Sequence, residues 1–182
     1  MRIPSGCSKL ETATIVDKVK GLIFGAILGD SLGLATEGLT RSEISNFYGK
    51  GPIRFGMDEG GIPFYRDEYR SKFEENDFGD DAEQVLLVME SLLENGGHFL
   101  SKDFALRLFN YHLHGIKNLN KLPMGANGAL VRAPLLGILK FWDGTTVIEN
   151  TTECCRVTHP DPRCMISCVI VSTLIARYLQ VI

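Results

Sequence analysis

Glu74-Glu75-Asn76-Asp77-Phe78-Gly79-Asp80-Asp81-Ala82-Glu83 places six carboxylates within ten residues and runs directly into Val85-Leu86-Leu87-Val88-Met89. No Lys or Arg interrupts the acids. Neighbouring unit charges repel by roughly 1 kcal/mol per pair even in water. A solvated loop tolerates that cost, but Asp80 and Asp81 stand where the chain enters an apolar helix. Two chemistries fit this junction. Adjacent carboxylates at the edge of a rigid element suit a hard, oxygen-seeking cation such as Mg2+. Asp80 followed by Glu83 also forms an Asp-x-x-Glu capping pattern, in which the Asp80 side chain accepts orphan backbone N–H groups. Negative charge at a helix N-terminus is favourable by ~0.3–1 kcal/mol in any case. Both readings stay open on these residues alone.

Outward from this junction, helical periods dominate and strand-like alternation is scarce, so the chain reads as all-α. The pattern predicts helices over Ile15–Leu34, Arg41–Tyr48, Asp81–Glu94, Ser101 to about Gly115, Ala129–Leu139, Thr145–Arg156 and from Pro162 onward. Thr40 and Glu43 form a capping box at the second helix. Asn95-Gly96-Gly97 stops the third. Pro134 is a break or a first-turn residue, and Asp161-Pro162 sets an N-cap with Pro at the first helical position. Gly21, Gly25, Gly29 and Gly33 recur every four residues on one stripe of the first helix. A helix-interior Gly costs ~0.8–1 kcal/mol against Ala, so four together imply that another helix approaches closely and that this helix is central. Residues 49–75 carry Gly, Pro and charge without periodicity and read as a long loop, of the kind used as lids or binding segments. Residues 1–14 read as a flexible N-terminus to one domain over 1–182.

The totals set limits. With 182 residues, 45% hydrophobic and 23% charged, the chain is long enough to bury a core. Net charge of -3 and a pI near 5.8, without a basic patch, argue against a nucleic-acid partner. Cys7, Cys154, Cys155, Cys164 and Cys168 are odd in number and two are adjacent, which does not make a secreted disulfide framework. Met1–Leu10 lacks the apolar core of a secretory leader, so a reducing, cytoplasmic home is expected. The apolar runs Gly21–Leu28 and Cys164–Ala176 fall short of the ~18 residues needed to span a bilayer. Cys164 and Cys168 share a helix face near His159, but the spacing matches no common zinc pattern. His112 and His114 point to different helix faces, and Cys154-Cys155 lacks an oriented base. The last helix is still apolar at Tyr178-Leu179-Gln180-Val181-Ile182, without a cap, which points to a truncated chain or to self-association through that helix.

Four polar clusters interrupt the apolar helices: Gly29-Asp30-Ser31-Leu32-Gly33 with Glu37, Gly79-Asp80-Asp81, Gly125-Ala126-Asn127-Gly128, and Thr158-His159-Pro160-Asp161-Pro162. Three of them stand at helix N-termini, where free N–H groups and the helix dipole favour an anion such as phosphate.

In these clusters, taken in order, the chain resembles the ADP-ribosylglycohydrolase family. The stretches that carry the likeness are Gly25–Gly33 with Glu37, Gly79-Asp80-Asp81 before an apolar helix, Asn127–Pro134, and Thr158-His159-Pro160, spanning about residues 20–180. The resemblance implies an orthogonal multi-helix bundle, incomplete at its C-terminus, around a cleft holding two Mg2+ ions. It implies hydrolysis of the N- or O-glycosidic bond that joins ADP-ribose to a protein side chain or small acceptor. By position, Asp80 and Asp81 are metal ligands, and Glu37 with Asp81 is catalytic. Asp30, Asn127, Gly128, Ala129 and His159 then contact the ligand. Cleavage passes through a cation-like sugar that nearby carboxylates stabilise, while a metal orients hydroxyls and water. Two departures stand out. The family usually carries Thr-Asp-Asp-Thr where this chain has Gly79-Asp80-Asp81-Ala82, and its later Asp-Thr-Asp-Thr-like ligands are missing, since no carboxylate follows Asp161. The alternative to an enzyme is therefore a degenerate homologue that binds ADP-ribose without turnover.

Overall fold

The computed structural model describes residues 3–56, 60–114 and 128–180. Among them the chain is helical: α1 Thr12–Gly33, α2 Arg41–Tyr48, α3 Asp80–Glu94, α4 Ser101–His114, α5 Ala133–Leu136, α6 Gly144–Arg156 and α7 Pro162–Gln180. A 3-10 turn at Arg70–Lys72 and one isolated bridge between Ile53 and Ile62 lie in the excursion after α2. The all-α expectation therefore holds for the described residues. The chain divides into two compact units, Met1–Phe24 with Glu83–Ile182, and Gly25–Ala82.

The first unit packs its helices through three apolar clusters. Val85, Val88 and Leu92 of α3 meet Phe104 and Leu108 of α4 and Leu135 and Leu136 of α5. Ile15, Phe141, Val147, Ala176 and Leu179 form a second cluster, and Ala129, Ala133, Cys155 and Cys168 a third. The stop after α3 follows its chemistry. Gly97 N–H reaches Leu92 O at 2.7 Å and Gly96 N–H reaches Leu93 O at 3.4 Å, with φ of +84° and +62°. That is a Schellman motif, which needs glycine for the left-handed residues. Ser8 Oγ donates to Leu179 O at 2.6 Å and Lys9 N–H to Gln180 O at 3.2 Å. Ile3, Cys7 and Leu10 pack on the second cluster, so residues 3–10 run along the end of α7.

Two expectations fail here. The helix expected over Ala129–Leu139 shrinks to the four residues of α5, with turns on either side. Pro134 has no N–H to donate to the carbonyl four residues back, and its ring crowds that carbonyl. Among the described residues the glycine stripe of α1 meets no neighbour either. A Cβ built at Gly21, Gly25, Gly29 or Gly33 finds nothing within 4 Å. The large residues beside the stripe, Phe24 and Leu28, are 70% and 58% exposed. Without a close-packed partner, the glycines only weaken the helix. Gly25→Ala is therefore expected to raise stability by ~1 kcal/mol, read as a higher urea midpoint at unchanged slope.

In the second unit α2 begins as expected. Thr40 Oγ1 accepts Glu43 N–H at 3.4 Å, while Thr40 N–H donates to Glu43 Oε2 at 2.7 Å. That bond and the one from the Thr40 hydroxyl hold the Glu43 carboxyl below its usual range. Tyr48, at the end of α2, donates its hydroxyl to Ala35 O at 2.8 Å and accepts Tyr65 N–H at 3.0 Å. Phe47 and Tyr65 stack face to face beside it. The excursion from residue 49 is thus fastened to the segment after α1.

On composition and length α7 is apolar enough to cross a membrane, a test that the core helix of a soluble protein also passes. One face of it is packed: Cys168, Ser172, Ala176 and Leu179 are buried. Ile166, Ile170, Leu174 and Tyr178 on the other face are exposed.

Candidate functional site

Within the second unit, the C-terminal end of α1, the turn after it and the entry to α3 gather acidic groups. Asp30 stands one helical turn before the end of α1. Its Oδ2 accepts the backbone N–H of Ala82 at 2.9 Å, and its carboxylate also accepts the N–H of Gly79. Asp30 therefore caps α3 across the chain, a role that the sequence pattern had offered to Asp80. Gly79 makes this approach possible: a Cβ there would sit 3.0 Å from Asp30 Oδ1. The residue that departs from the family pattern is also the one that gives Asp30 its room. Ser31 adds a second tie, donating to Asp77 O at 2.8 Å.

The electrostatics are those of neighbouring like charges, partly buried. Asp81 is pushed up to about 6, first by burial and then by the charges of Asp80, Asp30 and Glu37, all acting in one direction. The Asp30 carboxyl is also raised, chiefly by burial, although the N–H groups of Ala82 and Gly79 pull it down. Clustered carboxylates with raised values are what a divalent cation would relieve. Among the described residues no three His, Cys, Asp or Glu side chains converge as a full ligand set. Asp80 and Asp81 are the carboxylates here that could hold a hard cation.

Glu37 follows in the turn after α1 and accepts the Tyr69 hydroxyl on Oε2 at 2.8 Å. Tyr69 and its neighbour Arg70 were not expected from the sequence. The only sign was Asp67 three residues before Arg70 in an otherwise patternless loop. Arg70 is 2% exposed. Its guanidinium donates to Leu34 O at 3.0 Å, to Ala35 O at 3.2 Å and to Glu37 O, and pairs with Asp67.

In the first unit, Gly128 and His159 belong to one polar knot built on Arg132, with Ala129 in the apolar cluster beside it. The Arg132 side chain is fully buried. Nε donates to Gly128 O at 2.9 Å and Nη2 to Thr158 Oγ1 at 2.6 Å. Thr158 Oγ1 lies 2.7 Å from His159 Nδ1, and Cys155 Sγ donates to His159 O at 3.3 Å. A buried guanidinium needs such acceptors. Ala129 also lines a cleft of about 400 Å³ with Leu130, Asp161, Arg163, Cys164, Ser167 and Cys168. Burial pushes Cys154 and Cys168 up to about 12, which keeps both as thiols at neutral pH. Asn127 lies outside the described residues.

A curated relative, an uncharacterized protein from Archaeoglobus fulgidus, is 26% identical over 183 aligned residues, covering 88% of this chain and 55% of its own length. The chain spans about half the length of that relative. No solved structure matches it. The family model described as ADP-ribosylglycohydrolase matches residues 11–181, and the chain belongs to that family.

Proposed function

We propose that the chain carries the carboxylate machinery of a hydrolase that cleaves the N- or O-glycosidic bond of ADP-ribose conjugates, assisted by Mg2+. The observation that supports this reading is the gathering of Asp30, Glu37, Asp80 and Asp81 within the second unit, where Asp30 binds the entry to α3 and burial with like charge pushes Asp81 up to about 6. Perturbed carboxylates of this kind cluster at functional sites. Asp80 and Asp81 would hold the cation, which when bound supplies charge neutralisation and polarises oxygen ligands. Asp30 fixes the peptide that presents both aspartates. Glu37 faces the scissile bond in this reading. Tyr69 occupies its Oε2, so Oε1 is the oxygen that takes the proton of the attacking water or stabilises the cation-like sugar.

The test is release of ADP-ribose from ADP-ribosylated arginine and serine peptides by the whole chain in millimolar Mg2+. Product that disappears on chelation supports the reading, and no release from any conjugate counts against it. A second reading, binding without turnover, is favoured by Gly79, which offers no hydroxyl, and by Asp30, whose oxygens serve the α3 backbone. Calorimetry with ADP-ribose separates the two: heat without product selects the binder.

A further inference from the structure

The excursion after α2 is fastened to the turn that carries Glu37 by two consecutive residues. Arg70 pins the backbone: its donors meet the carbonyls of Leu34, Ala35 and Glu37, and its charge meets Asp67. A guanidinium is buried at tolerable cost only when its donors are met in this way. The next residue toward the N-terminus pins the side chain. Tyr69 donates to Glu37 Oε2 at 2.8 Å, and its ring is itself set edge-on against Phe73 at 5.3 Å. A free glutamate samples many rotamers, and holding it in one costs side-chain entropy. A charge-assisted hydrogen bond from a rigid phenol is strong enough to offset that cost.

We propose that Tyr69 is a positioning residue for glycosidic hydrolysis, holding Glu37 by one carboxylate oxygen so that the other is presented to the substrate. This rests on the reading of Glu37 given above. Burial, the bond to Glu37 and the charges of Glu37, Asp80 and Asp30 all push the Tyr69 hydroxyl above its ordinary value. It therefore stays a donor at every working pH and moves no proton itself.

Tyr69→Phe decides the matter. It is expected to lower kcat about tenfold, the worth of one hydrogen bond to a charged group, with KM within twofold and little change in melting temperature. Ultraviolet titration of tyrosine ionisation supplies a second readout. Wild type should show a late-ionising phenol that is missing in Tyr69→Phe and that ionises at lower pH in Glu37→Gln. An active wild type matched by Tyr69→Phe, or a kcat loss that tracks a fall in melting temperature, overturns the positioning role and leaves the hydrolase reading standing. If wild type releases no ADP-ribose, the hydrolase reading and the catalytic part of this inference fall together. The titration still rules on the pairing: a phenol that does not respond to Glu37→Gln overturns it.

Discussion

Asp81→Asn is expected to reduce ADP-ribose release about a thousandfold, ~4 kcal/mol of barrier, and at the same time to raise the melting temperature at pH 7. The two effects share one cause. In the folded chain the Asp81 carboxyl is pushed to about 6, by burial first and by Asp80, Asp30 and Glu37 next. The unfolded value lies near 3.9. Between those values the folded state holds more protons than the unfolded state, so stability falls as pH rises from about 4 to 6. At neutral pH the ionised group is a net burden. Because Asp81 is only partly buried, water screens much of that burden and the thermal gain is a few degrees. Asparagine keeps the shape and removes the charge, so the stability of the variant should vary less over that pH window. It also removes the charge on which Mg2+ would be held. Thermal scans at pH 4.5 and 7 with and without Mg2+, beside turnover assays, check both halves. Mg2+ should raise the wild-type midpoint at pH 7 and leave the variant unmoved. Turnover equal to wild type would remove Asp81 from the chemistry.

Gly137→Ala is expected to cost about 3 kcal/mol, a fall of roughly 6–12 °C in melting temperature for a chain of this size. A Cβ at Gly137 would lie 2.3 Å from Ser172 O, 2.9 Å from Ile175 Cβ and 3.1 Å from the Ser172 carbonyl carbon. Two of those atoms belong to the α7 backbone, which has no rotamer through which to yield. α7 cannot slide away, because Cys168, Ser172, Ala176 and Leu179 are already buried along the same face. Differential scanning calorimetry measures the cost. An unchanged midpoint would mean that α5 and α7 do not meet at Gly137. The contrast with Gly25, where the same substitution is expected to stabilise, isolates close approach from helix propensity.

These two glycines show where local reasoning works and where it stops. Among the described residues, Gly25 lies in a perfect four-residue period and packs against nothing within 4 Å, whereas Gly137 belongs to no pattern and carries the tightest contact of the glycines. Periodicity reports which residues share a helix face; it is silent on what that face meets. The capping box at Thr40 and Glu43 was legible, because a cap is made by residues three apart on one strand of chain. The Schellman stop at Gly96 and Gly97 was legible for the same reason. The cap on α3 was not, because its acceptor is Asp30, about fifty residues upstream. The carboxylates of the candidate site could be named in advance, since each lies inside a short motif. Tyr69 and Arg70 could not, since a patternless loop gives no cue that it will fold back on the turn at Glu37.

The amino-acid order by itself determined the helical class, most helix ends, the family and the acids at Asp30, Glu37, Asp80 and Asp81. All of these depend on neighbours within a turn or two, where spacing along the chain is spacing in space. Only the tertiary structure decided that Asp30 serves the backbone of α3, that Arg70 and Tyr69 hold Glu37, and that Arg132 ties Gly128 to Thr158. Burial and long-range hydrogen bonds set those roles, and both depend on which distant segments the fold brings within 3 Å.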